Sequence, residues 1–242
     1  MVGDLEGHLE TVVAPFVEAL RVGRAPVELE LRMGRRSGHG FAATVTKEEM
    51  DTVLRTIADS NPFHDTQEWN ESHDYFFQHD GQTVRSSVTF DVTDFSMLTV
   101  HVVKKRIART DAQRFRVAAA TESPVQAQTL PFATSVDHMR IKQRRSICVR
   151  PPELTQPLWR YDFTMVWGAD NKQQAELMQR AGPPNYEVEV EVLAPGATEL
   201  LGIVRGTLKP AEVDAAVSAY LTGRLQEIGH AIAGLMDASH ES

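Results

Sequence analysis

The sequence predicts an α+β fold, an antiparallel β-barrel with amphipathic helices packed outside it. Three observations carry this expectation. Short β-branched and aromatic segments recur between residues 66 and 205, separated by Asp-Gly, Asn and Pro turn signals. Several of these segments sort like charges onto one face at a period of two. Apolar residues at helical spacing mark both ends of the chain.

The first element is a helix. Leu9, Val12, Val13, Phe16, Val17 and Leu20 share one face, and Gly23 supplies the stop. Pro26 admits a strand at 26–33, Val27-Glu28-Leu29-Glu30-Leu31-Arg32, and Gly34 to Gly40 reads as a basic, glycine-containing turn. Thr46-Lys-Glu-Glu49 has the capping-box spacing and opens a helix carrying Met50, Val53, Leu54 and Ile57. Further strand candidates lie at 72–79, 83–91, 97–107, 114–122, 138–149, 158–167, 185–193 and 200–208, with one of them short or split. Pro151-Pro152, Pro157 and Gly182-Pro183-Pro184 mark loops. Pro210 starts a long helix with Val213, Val217, Leu221, Leu225, Ile228, Ile232 and Leu235 on one face. No repeat or linker divides the chain, so residues 1–242 are expected to form a single domain.

Charge decides the architecture. In 26–33, and again in Glu187-Val188-Glu189-Val190-Glu191-Val192, alternation places carboxylates on one face and Val or Leu on the other. Arg140, Lys142 and Arg144 share a face in the same way, as do Arg160, Asp162 and Thr164, and Thr83, Arg85 and Ser87. A solvent-facing sheet surface mixes signs, because like charges directly opposite one another repel. Whole strands of one sign fit a closed barrel better, where acidic and basic walls face each other across a lumen. Five glutamates from two distant strands supply the oxygen ligands that a hard divalent cation takes. The basic strand opposite suits a polyphosphate.

Composition sets bounds. An apolar fraction of 42% and a charged fraction of 24% are ordinary for a globular chain, and 242 residues suffice for a sizeable core. The net charge of −8 excludes a polyanion-binding surface overall, so phosphate contacts must come from local clusters. One cysteine, Cys148, rules out an internal disulfide and a cysteine-rich zinc site. Ile147 precedes it where a cysteine phosphatase needs His, which leaves Cys148 as a small core residue. There is no P-loop, no dinucleotide fingerprint and no H-E-x-x-H spacing among the nine histidines. Lys142 to Arg145 also reads as an import or RNA patch, but alternation within a strand favours a lumen. No signal sequence or membrane-length apolar run is seen, so an intracellular, soluble protein is expected.

The ordered set of motifs resembles the triphosphate tunnel metalloenzymes and, more narrowly, the metal-dependent RNA 5′-triphosphatases of fungal, protozoan and viral mRNA capping. Glu28 and Glu30 match that family's first Glu-x-Glu strand. Glu187, Glu189 and Glu191 match the last tunnel strand, Arg140-x-Lys142-x-Arg144 the basic strand, and Arg160-x-Asp162-x-Thr164 the strand after it. Asp74, Arg85, Lys105, Arg116 and Glu122 are weaker single matches, and Arg32 stands where relatives often have Lys.

The resemblance implies a closed eight-stranded tunnel and a set of roles. Glu28, Glu30 and Glu191 would ligate Mg²⁺ or Mn²⁺. Arg85, Lys105, Arg140, Lys142 and Arg144 would hold phosphates, with Arg32 and Arg116 beside them. Glu189 would orient or deprotonate the attacking water, supported by Glu187, while Asp74, Glu122, Asp162 and Thr164 would align the basic side chains. The implied reaction removes the γ-phosphate of a 5′-triphosphate RNA end and leaves a diphosphate for an mRNA guanylyltransferase, a candidate partner in the nucleus. NTP hydrolysis with Mn²⁺ belongs to the same expectation. Two alternatives stand beside it. One is another tunnel enzyme, a cyclase or one acting on inorganic or thiamine triphosphate. The other is a non-catalytic polyphosphate-binding module.

Overall fold

A computed structural model describes residues 5–23, 26–60, 64–90, 96–127 and 136–238. Helix α1 (Leu5–Val22) precedes strand β1 (Val27–Met33), the hairpin β2 (Arg35–Ser37) and β3 (Gly40–Ala42), and helix α2 (Lys47–Ser60). There follow β4 (His64–Thr66), β5 (Asn70–His79), β6 (Gln82–Phe90), β7 (Met97–Asp111), β8 (Phe115–Pro124), β9 (His138–Val149) and β10 (Trp159–Ala169). The chain closes with α3 (Lys172–Ala181), β11 (Asn185–Val192), α4 (Ala194–Thr207) and α5 (Pro210–Ala238).

Eight strands pair antiparallel in the order β10-β11-β1-β8-β7-β6-β5-β9, and β9 pairs back onto β10. The sheet is therefore a closed barrel, with β4 added against the end of β9. Closure follows from the alternation of strand residues. Inward positions are mostly charged or polar, with Ala118 and Ala120 among them; most outward positions of β1, β8, β10 and β11 are apolar and buried. Leu29, Leu31, Met33, Val117, Phe163, Val188 and Val190 are buried against Leu9, Val12, Phe16 and Val17 of α1 and Val217, Leu221 and Leu225 of α5. Each such side chain contributes about 1.5–3 kcal/mol. The hydrophobic core thus lies outside the barrel and leaves the lumen to polar groups. Among the described residues, no helix is long and apolar enough to cross a membrane.

Local signals act as their chemistry dictates. Gly23 ends α1 at φ +63°, and Asp80-Gly81, both at positive φ, turn β5 into β6. The capping box opens α2: Thr46 N–H donates to Glu49 Oε2 at 2.7 Å and Glu49 N–H donates to Thr46 Oγ1 at 3.1 Å. Glu49 is fully buried and also accepts from Arg35 at 2.7 Å and from Arg114 at 3.1 Å, tying the hairpin and the β7–β8 turn to the helix. Glu49→Ala removes a cap and two charged hydrogen bonds, so it will lower stability by about 3 kcal/mol. An unchanged urea midpoint would contradict that.

Two expectations are corrected, and one helix was not foreseen. Residues 200–208 are not a strand. They fall mostly in α4, where Leu200 and Leu201 are buried and Val204 is partly so, one turn apart; a short apolar run has no period that separates the two. Gly34 to Gly40 is not a simple turn but leads through a paired hairpin, β2 with β3. Helix α3, a polar segment, had no strong apolar period to announce it. The last residue of the 83–91 candidate lies outside the described residues.

Candidate active site

The register puts the charged residues on the inside. Glu30 of β1 is the Cα partner of Glu191 on one side and of Ala118 on the other, and Arg32 partners Glu189 and Arg116. Arg160 partners Glu191, Asp162 partners Glu189 and Thr164 partners Glu187. Across β9 the inward set continues as Ser146, Arg144, Lys142 and Arg140, and across β5 and β6 as Asp74 with Ser87. Most of these side chains line one cavity of about 290 Å³, at the narrow end for a ligand site.

Every carboxylate inside is turned to a cation. Arg140 is gripped by both oxygens of Glu187, at 2.7 and 2.8 Å, and Lys142 pairs with buried Asp74, which also accepts from Ser87. Arg144 reaches Asp162 at 3.1 Å, Glu189 at 3.6 Å and Thr164 Oγ1 at 3.2 Å. Asp162, 1% exposed, anchors the wall: it accepts from Ser146 at 2.6 Å and from Arg160 at 3.0 Å as well. Arg160 also pairs with Glu191, Arg85 with Glu122 at 2.6 Å, and Arg32 with Glu189 at 3.0 Å and Glu30 at 3.1 Å. Lys104 lies 2.5 Å from Glu28 and 3.4 Å from Glu30.

This crowding sets the charge states. Burial alone would raise Glu189, but Arg32, Arg144, Lys142 and Arg140 outweigh it and hold the carboxyl at about 2. Glu191 goes the other way: burial, with help from Glu28 and Asp162, pushes it up to about 7 despite Arg160. Burial brings Lys142 down to about 8, assisted by Arg140 and Arg144 and opposed by Asp74. Burial also lifts Glu122, with Glu28 adding to the shift against Arg85. Glu28 is lowered because Lys104 overcomes its burial.

The Lys142 value has a measurable consequence. The ammonium is charged below about 8 and neutral above it, so its attraction for phosphate is lost as pH rises through that value. In EDTA, tripolyphosphate affinity of the wild type should fall relative to Lys142→Arg above pH 8, by up to roughly tenfold per pH unit. Calorimetric titrations with parallel pH profiles would contradict it.

Most residues expected in the site from the sequence meet in this lumen: Glu28, Glu30, Arg32, Asp74, Arg85, Arg140, Lys142, Arg144, Glu187, Glu189 and Glu191. Asp162 and Thr164 sit beneath its basic wall, and Glu122 beside Arg85. Arg116 lies further along, in a continuation of the cavity, held by Asp111 at 2.6 Å and stacked 4.8 Å over Phe41. Lys105 is the exception. The partners Arg85–Val102 and Lys104–Glu122 put Lys104 inside, so Lys105 points outward and is exposed. Sequence reasoning missed Lys104, Arg106 and Arg109; in a run of consecutive basic residues, parity is readable only from the register.

The carboxylates can be tested as ligands for a divalent cation. Glu28, Glu30 and Glu191 offer only oxygen donors, from partnered positions on two adjacent strands. Oε2 of Glu28 is buried and lacks a well-directed hydrogen bond, since Lys104 approaches it off-axis. In the present arrangement no three acidic, His or Cys side chains among the described residues gather closely enough to hold an ion. The donor set fits a hard cation, and binding would replace the Lys104 and Arg160 contacts.

No protein-family model matches the sequence, and comparison with curated proteins finds no match. Solved structures do match. The S. pombe Pct1 RNA triphosphatase aligns over 98% of this chain and 93% of its own at 16% identity, with a TM-score of 0.63. The same protein in complex with the Spt5 CTD aligns over 91% of each chain at 16% identity, with a TM-score of 0.60. The Mimivirus capping enzyme triphosphatase aligns over 79% of this chain and 93% of its own at 14% identity, with a TM-score of 0.50. With its lumen of opposed carboxylates and cations, this chain has the triphosphate-tunnel fold, the closed eight-stranded barrel of these RNA triphosphatases.

Proposed function

We propose that this chain, as a single tunnel domain, is a divalent-metal-dependent RNA 5′-triphosphatase that hydrolyses the γ-phosphate and leaves a 5′-diphosphate end. One observation supports this best. Two glutamate strands and an Arg-Lys-Arg strand face each other across one closed, narrow lumen. Simple anion capture would need the cations alone; the carboxylates opposite them suit a metal as well as a phosphate chain.

Phosphoryl transfer needs positioning and electrostatics more than a covalent protein nucleophile. Mg²⁺ or Mn²⁺, held by Glu28, Glu30 and Glu191, would supply charge at the γ-phosphate oxygens. Arg85, Arg140, Lys142 and Arg144 bind and orient the phosphates as cations fixed in place by Glu122, Glu187, Asp74 and Asp162. Glu189 lies between Arg32 and Arg144, and with its carboxyl held at about 2 it orients a water by accepting a hydrogen bond and makes a poor proton acceptor. A place in mRNA capping, with nuclear residence and a guanylyltransferase acting next on the diphosphate, is part of the same proposal.

The test compares γ-phosphate release from triphosphate-ended RNA, tripolyphosphate and thiamine triphosphate with Mg²⁺ or Mn²⁺. The proposal expects the highest kcat/KM on RNA. A preference for tripolyphosphate or thiamine triphosphate would assign another tunnel chemistry. Binding without turnover would indicate a polyphosphate-capturing module.

A further inference from the structure

The two ends of the lumen differ. At the end where β1 and β7 finish, the cavity continues past Arg32 and Arg140 to Arg106, Arg109 and Arg116; seven basic side chains and one carboxylate, Glu30, line this part. A β-bulge at Ile107 makes this possible. Arg106 partners Ala120 and Arg109 partners Ala118, so both arginines face the same way although three residues apart. Arg106 has no ion-pair partner among the described residues, and Arg109 reaches Asp111 only at 3.8 Å. Phe76 lines the same end, and the ring of its β9 partner His138, 44% exposed, stands 5.9 Å away. Among the described residues, the opposite end, which holds Glu28, Glu191 and Arg160, is edged by the uncharged side chains of Gln67, Asn70, Ser72 and Thr89.

Arg106, without an ion pair among the described residues, and Arg109, held only loosely, beside a half-buried Phe76 and a partly exposed His138, offer what single-stranded nucleic acid requires, cations for the backbone and faces for the bases. We propose that RNA enters 5′-end first through the β1-terminal opening. Arg106 and Arg109 contact the phosphodiesters that follow the triphosphate, and Phe76 with His138 takes the first base. The γ-phosphate then lies toward Glu28 and Glu191, and inorganic phosphate leaves past Gln67 and Asn70. The proposal rests on the triphosphatase reading and adds its direction and its RNA subsite.

The test uses the full chain and triphosphate-ended RNAs of one to five nucleotides, with tripolyphosphate as the chain-free reference. In the wild type, KM falls as the first two or three nucleotides are added. In Arg106→Gln/Arg109→Gln, the ratio of KM for five-nucleotide RNA to KM for tripolyphosphate rises roughly tenfold, and the salt slope of log KM drops by about 1.4, the value for two lost contacts to a single strand. Gln67→Glu/Asn70→Asp, which places negative charge at the other end, leaves the RNA ratio unchanged. A length dependence that survives the double arginine change, or a ratio of RNA to tripolyphosphate KM raised by the Gln67 and Asn70 changes, would overturn the proposal. Affinities for the same oligonucleotides in EDTA give the same readout without turnover. A wrong direction is thereby separated from a failure of the triphosphatase reading itself.

Discussion

Glu30→Ala and Glu191→Ala should each abolish metal-dependent γ-phosphate release while the chain stays folded. The two residues are Cα partners on neighbouring strands, and with Glu28 they are the proposed ligands of the cation. A cation placed there is worth several kcal/mol to the reaction. Losing one of its three ligands should therefore cost three or more orders of magnitude in kcat. The fold tolerates either change because the cationic partners are shared. Without Glu30, Arg32 keeps Glu189 and Lys104 keeps Glu28; without Glu191, Arg160 keeps Asp162. Glu191 also carries no stability to lose at pH 8. Its folded pKa, about 7, lies above the ordinary 4.5, so its contribution is present below 4.5 and gone once pH has risen through 7. Near wild-type turnover in either variant, assayed with Mg²⁺ or Mn²⁺, would remove these residues from the site.

The largest loss of stability is expected from Asp162→Ala. This carboxylate is almost wholly buried and holds two guanidiniums and a hydroxyl in one plane of the barrel wall. Its removal leaves Arg144 and Arg160 facing each other without their shared counter-charge. Breaking a buried ion pair from one side costs about 3–5 kcal/mol. For a chain of this size that lowers Tm by roughly 6–20 °C. Asp162→Asn keeps the shape and one acceptor, so it should fall between the wild type and Asp162→Ala. Because Arg144 loses its alignment as well, kcat should drop in both. A Tm within about 2 °C of wild type for Asp162→Ala would show that Glu189, Glu191 and Thr164 are enough to hold the wall.

The barrel was legible because its sequence breaks the usual rule for sheets. Alternation in 27–32 and 187–192 gathered Glu28 and Glu30, joined by Arg32, and then Glu187, Glu189 and Glu191 on one face, and 140–144 placed base on one face; a period of two needs no tertiary information to read. The outward aliphatic rows then called for covering helices, which α1 and α5 provide. Other parts had no such period. Lys104, Lys105 and Arg106 are consecutive, so only pairing with β6 and β8 reveals that the first and third face inward. Arg109 was hidden by the bulge, which shifts parity by one residue. Leu200 to Leu208 read equally well as strand or helix, and packing against α5 and the barrel resolved it. Asp74, Glu122 and Asp162 were expected to align basic side chains, but which cation each one takes was not readable from the sequence. That Glu187 grips Arg140 while Asp74 takes Lys142 depends on which strands become neighbours when the sheet closes.

The central claim is that the carboxylates and cations of one lumen together cleave a triphosphate end. The most direct measurement follows labelled γ-phosphate released from triphosphate-ended RNA by the purified chain, with Mg²⁺, with Mn²⁺ and with EDTA. The account predicts release of inorganic phosphate and a diphosphate-ended RNA with either metal, and none with EDTA. Release that persists in EDTA, or a product one phosphate shorter still, would contradict it.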